Sequence, residues 1–293
     1  MKICVIAPVV IPILGVNQKY GGIESVIFNV VEELSKRGHE IYVFASGDSK
    51  LSAKVLPTVV RALGQNASLS RQKTANLKAY KQALELKPDV IWDNTYALHA
   101  HKKRPRFPYK YLTRTNAVLN RRDLISTGNI PVVQTIHSAA KDYFIQFVSA
   151  LSKSGQYMIT ISKDQAKRYR EYIEDGQHLG TIYNPVDIDF YSPGPRKKGK
   201  YLLWVGRFSM EKGAHIAVAA ANFLGLPILL VGKKTEKHEK DYFNKFVKPL
   251  LGQNAKYIGM AAARKKLQLL RNAKAVLMTN IWAEPFGLVA AEA

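Results

Sequence analysis

The sequence predicts an α/β protein made of two Rossmann-like domains, and three observations predict it. Short β-branched runs alternate with segments of helical periodicity, the pattern of parallel β/α units. From Pro185 to Gly199 three prolines and two glycines interrupt that alternation, as an extended connector would. Beyond the connector the alternation begins again. The expected organisation is a domain over residues 1–185, a linker over 186–199 and a second domain over 200–293.

Residues 3–7 read as the first strand. Ile23, Val26, Ile27, Val30, Val31 and Leu34 then repeat at helical spacing, and Arg37-Gly38-His39 ends that helix with basic residues around a glycine. Residues 40–45 form the next strand, followed by expected strands at 89–92, 132–136, 157–161 and 181–183. Helices are expected over 69–86 and from Ser162 onward. In the second half the strands are 201–205, 227–231, 256–258 and 275–278, with helices over 214–223, before Lys256 and over 262–271. In such folds ligands bind at the carboxyl ends of the strands, so an active site is expected in the cleft of the pair.

Bulk properties narrow the class. The composition is that of a folded chain, with 47% hydrophobic and 23% charged residues. The apolar runs at 3–10 and 226–231 are too short to cross a bilayer, and Pro8, Pro12 and Gly15 break the only stretch resembling a signal peptide. The single cysteine, Cys4, excludes an internal disulfide and a cysteine-based zinc cluster. A cytoplasmic protein is expected, with a peripheral association at the inner face of the membrane as a further option. The net charge of +22 divides as +12 before residue 185 and +10 after it, so no detachable basic tail exists. Such charge attracts phosphate, anionic lipid or nucleic acid, and a generally lysine-rich surface also accounts for it.

Two motifs carry chemistry. Gly206-Arg207 and Lys212-Gly213 fall where the second domain's first strand meets its first helix. A strand-to-helix loop offers backbone N–H groups and a positive helix end to an anion, and the two cations suit a diphosphate. The second motif is Glu284-Pro285-Phe286-Gly287-Leu288 with Glu292. Pro285 suits the first turn of a helix, Gly287 allows close backbone approach, and Glu292 lies about two turns further on. Two carboxylates around a glycine-containing helix start suit a ligand with hydroxyls at both ends and an anion between them.

Together these motifs resemble the donor site of family-4 glycosyltransferases, the large retaining family of GT-B fold. Tyr20-Gly21-Gly22-Ile23-Glu24, Arg37-Gly38-His39-Glu40, Thr135-Ile136-His137-Ser138, Thr160-Ile161-Ser162-Lys163 and Tyr183-Asn184-Pro185-Val186-Asp187 extend the resemblance over essentially the whole chain. The resemblance implies an acceptor-side first domain and a nucleotide-sugar donor domain. It implies that Arg207 and Lys212 bind the donor diphosphate and stabilise it as it leaves, and that Glu284 contacts the transferred sugar. Backbone groups of Phe286, Gly287 and Leu288 would hold sugar and phosphate, Glu292 would bind the ribose hydroxyls, and Gly21 and Gly22 would line the donor phosphates. His137 would reach the cleft near the sugar. The implied activity is transfer of a hexosyl group from a nucleoside diphosphate sugar to a hydroxyl of a carbohydrate or lipid-linked acceptor. No cofactor beyond that donor and no essential metal are expected. Relatives continue past the point corresponding to Ala293, so the second domain is expected to be incomplete. The alternatives are a non-catalytic sugar-nucleotide or anion-binding protein, an inactive fragment, or an epimerase or phosphorylase of the same layout.

Three weaker candidates remain. Asp187-Ile188-Asp189 has the form of a metal-binding Asp-x-Asp, but its place in the connector favours linker chemistry. His99 and His101 lack nearby carboxylates or cysteines at ligand spacing. Residues 102–111, with Arg114, Arg121 and Arg122, interleave cations and aromatics. An exposed basic loop, an anionic membrane surface and nucleic acid all fit that segment, and nucleic acid is not expected as a partner.

Overall fold

A computed structural model describes residues 1–95, 126–194 and 199–293. His99, His101 and the basic segment from Lys102 to Arg122 lie outside the described residues. By contacts the chain divides into two units, one comprising Met1–Gly15 and Ile23–Pro185, the other Val16–Gly22 and Val186–Ala293.

The first unit is built on a parallel seven-stranded sheet in the order β3-β2-β1-β4-β5-β6-β7. Its strands are β1 (Lys2–Ile6), β2 (Glu40–Ser46), β3 (Lys54–Val59), β4 (Val90–Asp93), β5 (Val132–Ile136), β6 (Tyr157–Thr160) and β7 (His178–Thr181). Helix α1 (Gly22–Lys36) buries Ile27 and Val31 against Ile3, Val5, Ile41 and Val43 on one face of the sheet. It ends as its sequence requires: Gly38 takes φ +82°, and the His39 N–H returns to the Leu34 carbonyl at 3.2 Å. On the other face α2 (Leu69–Glu85) packs Ala79, Tyr80 and Ala83 on Cys4, Ile6, Phe44 and Ile91. Helix α3 (Asp142–Lys153) packs Phe147, Val148 and Leu151 with Ile136 and Met158, and Ser162 caps α4 (Lys163–Tyr169) through the Gln165 N–H at 3.1 Å.

Three differences from the expected elements stand out. Strand β3 is absent from the expected elements; Pro57 lies inside it, and as the edge of the sheet the strand tolerates a residue without an N–H. Helix α3 was not foreseen either. Strand β7 begins three residues before the expected 181–183 and shares only Thr181 with it, with Gly180 inside it at φ +131° and Tyr183 beyond its end.

The second unit has a parallel four-stranded sheet, order β10-β9-β8-β11. These are β8 (Tyr201–Val205), β9 (Ile228–Val231), β10 (Ala255–Tyr257) and β11 (Ala273–Val276). Its helices are α5 (Ala214–Phe223), α6 (Lys237–Tyr242), α7 (Ala263–Arg271) and α8 (Leu288–Glu292). The core gathers Trp204 and Phe208 around Ala217, Val218, Ile228, Leu230 and Phe243. Of the Asp-x-Asp residues, Asp187 accepts a hydrogen bond from the Phe190 N–H at 2.9 Å and so shapes a turn of the connector. Among the described residues no helix is long and apolar enough to cross a membrane.

Candidate functional site

The Arg207 loop leaves the carboxyl end of β8 and is fixed at several points. Gly206 donates to the Val231 carbonyl at 2.9 Å, and Phe208 donates to the Lys233 carbonyl at 3.0 Å. The Phe208 ring is fully buried and meets Trp204, Phe243 and Tyr257 at centroid distances of 5.0, 5.0 and 5.2 Å. Arg207 therefore projects from between two anchored neighbours. The Trp204 indole donates to the Lys212 carbonyl at 3.2 Å, which fixes the turn carrying Lys212.

That loop differs from the expected anion cradle in one respect. The Tyr242 hydroxyl accepts the His215 N–H at 3.2 Å and bonds His215 Nδ1 at 2.7 Å, so a side chain caps the start of α5. The N–H groups of Gly206, Phe208, Lys212 and Gly213 are also engaged by carbonyls. Those four N–H groups are thus not on offer to an anion, whereas the side-chain cations Arg207 and Lys212 are part-exposed.

A second loop, following β11, packs against the first. Thr279 Oγ1 donates to the Gly213 carbonyl at 2.8 Å, and the Ile281 N–H donates to the Glu211 carbonyl at 3.0 Å. Gly213 is required here, because a Cβ would stand 1.9 Å from the Thr279 carbonyl oxygen and φ is +66°. The contact brings Lys212 Nζ within 2.5 Å of Glu284 Oε2. Asn280 Nδ2 and Trp282 Nε1 donate to the same oxygen at 2.9 and 2.8 Å. Arg207 pairs with Glu211 at 2.8 Å, and its Nε is buried with no hydrogen-bond partner among the described residues.

The helix expected to begin at Pro285 begins later. Pro285 is buried in the loop, Gly287 caps the helix at φ +83°, and α8 starts at Leu288. Glu284 is therefore not on the helix, and the two glutamates do not share a helical face. Glu292 has its own partners: Lys266 Nζ at 2.6 Å and the Tyr191 hydroxyl at 3.1 Å, both on Oε1. Its Oε2 is buried and unpartnered among the described residues. Phe286 and Leu288 are half-buried. Residues 16–22 group with this unit, and a Cβ on Gly22 would reach 3.4 Å from Leu288 Cδ1. Gly21 takes φ +127°.

His137 belongs to the first unit, just past β5. Its Nε2 lies 3.0 Å from Asn94 Oδ1 at the end of β4, and burial pushes the imidazole pKa down to about 4. The ring is neutral at pH 7, with Nε2–H donating to Asn94. Beneath it Asp93 is fully buried and accepts from the Tyr80 hydroxyl, Gln134 Nε2 and both donors of Thr95 at 2.6–3.0 Å.

Sequence reasoning missed Asp93, Asn94, Lys233 and Trp282. Lys233 is 2% exposed, pairs with Glu236 and lies 3.0 Å from Glu239. The only sequence signal was position: Asp93-Asn94 and Lys233 each follow the last apolar residues of a strand.

Comparison with known proteins identifies the family. A family model described as Glycosyltransferase Family 4 matches residues 20–190, and one described as Glycosyl transferases group 1 matches residues 185–293. The chain belongs to glycosyltransferase family 4, and its fold is GT-B. It is 28% identical to a glycogen synthase of Mycobacterium tuberculosis over 187 residues, 56% of this chain and 44% of that protein. It thus covers less than half the length of that relative. It is 24% identical to the phosphatidyl-myo-inositol mannosyltransferase of Mycolicibacterium smegmatis over 297 residues, covering 93% of this chain and 70% of the relative. Among solved structures, Anabaena HepE in complex with UDP and glucose matches with a TM-score of 0.65 at 18% identity, over 100% of this chain and 77% of HepE.

Proposed function

We propose that the chain transfers a hexosyl group from a nucleoside diphosphate sugar to an acceptor hydroxyl, with retention of anomeric configuration and without an essential metal. The observation that carries this reading is the Lys212–Glu284 pair at 2.5 Å, beside Arg207 at the carboxyl end of β8. A cation and a carboxylate in contact match the two ends of the bond to be broken, a leaving diphosphate and a sugar bearing hydroxyls.

In the transfer, the bond between sugar C1 and the phosphate oxygen breaks and a bond from C1 to the acceptor oxygen forms on the same face. The acceptor proton passes to the leaving phosphate oxygen. Negative charge accumulates on the diphosphate, and Arg207 and Lys212 stabilise it; one aimed donor is worth roughly 3 kcal/mol in comparable sites. Glu284 accepts hydrogen bonds from sugar hydroxyls, and Glu292 Oε2 accepts one from the ribose. Gly21, Gly22 and the backbone of Phe286, Gly287 and Leu288 line the donor. Residues 200–293, together with Gly21 and Gly22, hold the donor, and the rest of residues 1–185 serves the acceptor. HepE binding UDP and glucose supports a nucleotide-sugar donor. The mannosyltransferase relative, named for phosphatidyl-myo-inositol, supports a lipid-linked acceptor beside a carbohydrate one.

The test is release of UDP or GDP from a panel of nucleotide sugars, comparing the chain with Arg207→Ala. The reading expects a loss of about a hundredfold or more with the fold intact. Near-normal turnover in the variant would sink it, and binding without any turnover would favour a non-catalytic sugar-nucleotide protein.

A further inference from the structure

Glu284 is held by more donors than an ion pair requires. Lys212 Nζ, Asn280 Nδ2 and Trp282 Nε1 converge on the single oxygen Oε2 at 2.5, 2.9 and 2.8 Å. The other oxygen, Oε1, has no protein partner among the described residues and is not buried, in a side chain that is 23% exposed. A lone glutamate would rotate among several rotamers and lose that freedom only on meeting its ligand. Here three donors on one oxygen fix the carboxylate beforehand and leave the second oxygen facing outward.

Trp282 has a distinct place among the three. Its N–H is a donor only, so it can serve the carboxylate but not compete with it for hydroxyl protons. Its ring face lies 5.2 Å from Lys212 Nζ, within the range of a cation–π contact. One side chain thus touches both members of the pair, the carboxylate through its edge and the ammonium through its face. The loop that carries it is tied back by Thr279 and Ile281 to Gly213 and Glu211, so the clamp has a fixed base.

We propose that Trp282, assisted by Asn280, is a positioning residue that locks Glu284 Oε2 so that Oε1 is presented to a hydroxyl of the donor sugar. The proposal rests on Glu284 as the sugar-contacting carboxylate, and its test separates the two. Calorimetric titrations with UDP-glucose, UDP-galactose, UDP-N-acetylglucosamine and GDP-mannose are set beside titrations with bare UDP and GDP. Trp282→Phe keeps a ring face for Lys212 and loses the N–H. It should weaken the tightest-binding sugar nucleotide roughly tenfold while leaving the bare diphosphate within about twofold. Asn280→Ala should act in the same direction, and Trp282→Phe should add nothing once Glu284→Gln is present.

Equal losses for sugar nucleotide and bare diphosphate would overturn the proposal, since a merely structural role moves both. An unchanged Trp282→Phe alongside a weakened Glu284→Gln would overturn it and leave the Glu284 reading standing. A Glu284→Gln with unchanged sugar-nucleotide affinity, or a chain that binds none of the four, would overturn both.

Discussion

His137 Nε2 stands 3.0 Å from Asn94 Oδ1, a bond that ties together the ends of the neighbouring strands β5 and β4. Burial holds the imidazole neutral, with its pKa at about 4 against an ordinary 6.5. The unfolded chain therefore takes up this proton before the folded one, and stability is lost as pH falls from 6.5 towards 4. Denaturation of the chain and of His137→Asn at pH 7.5 and 5 should show the wild type losing about 2 kcal/mol more than the variant. A pH-independent difference would mean that His137 is charged or solvated in the folded state.

Glu24 gives the opposite slope. It lies buried in the first turn of α1, where desolvation raises its carboxyl from 4.5 to about 7. The folded chain holds this proton more tightly, so stability is present at low pH and is lost as pH rises from 4.5 through 7. Glu24→Gln should gain about 2.5 kcal/mol on the wild type between pH 5 and pH 8. Guanidine denaturation at those two pH values measures it, and a constant offset would refute the burial of an ionisable group there.

Gly213 and Gly225 form a matched pair for substitution. Both take a left-handed φ, +66° and +64°, but a Cβ at 225 meets nothing within 4 Å whereas one at 213 strikes the Thr279 carbonyl. Gly225→Ala should cost about 1–2 kcal/mol, the price of the backbone conformation alone. Gly213→Ala should cost more, and it should part the two loops that bring Lys212 to Glu284. Melting curves and UDP titration of both variants test this; equal effects would show that the close approach is unimportant.

The charge compensation proposed for the leaving diphosphate comes from Arg207 and Lys212, not from a divalent cation. Donor turnover should stay within about twofold in EDTA and on addition of Mg²⁺ or Mn²⁺, where electrostatic stabilisation is already supplied by fixed side chains. Loss of turnover in EDTA with recovery on metal addition would contradict that part of the mechanism.

What the sequence made legible follows from range. Helix α1 was readable because its apolar spacing and its terminal Gly38 act within a few residues. Strand β3 was not, since Pro57 argues locally against a strand and only an edge position reconciles the two. Pro285 misled in the other direction: a residue suited to a helix start lies buried in the loop, and Gly287 caps α8 instead. Lys212 and Glu284, 72 residues apart, could be named together only through the motif resemblance. Asn94, Lys233 and Trp282 carry no such motif, and their partnerships exist only after the strands and loops have met.

The central claim is that Arg207 and Lys212 form the phosphate end of a donor site, and binding of UDP tests it most directly. Titration calorimetry of the chain and of Arg207→Ala should show saturable UDP binding that weakens roughly tenfold to a hundredfold in the variant, the effect of one charge-assisted contact to phosphate. Melting curves recorded beside the titrations separate this loss from any structural cost of removing the part-buried Arg207–Glu211 pair. UDP affinity unchanged by Arg207→Ala would contradict the account.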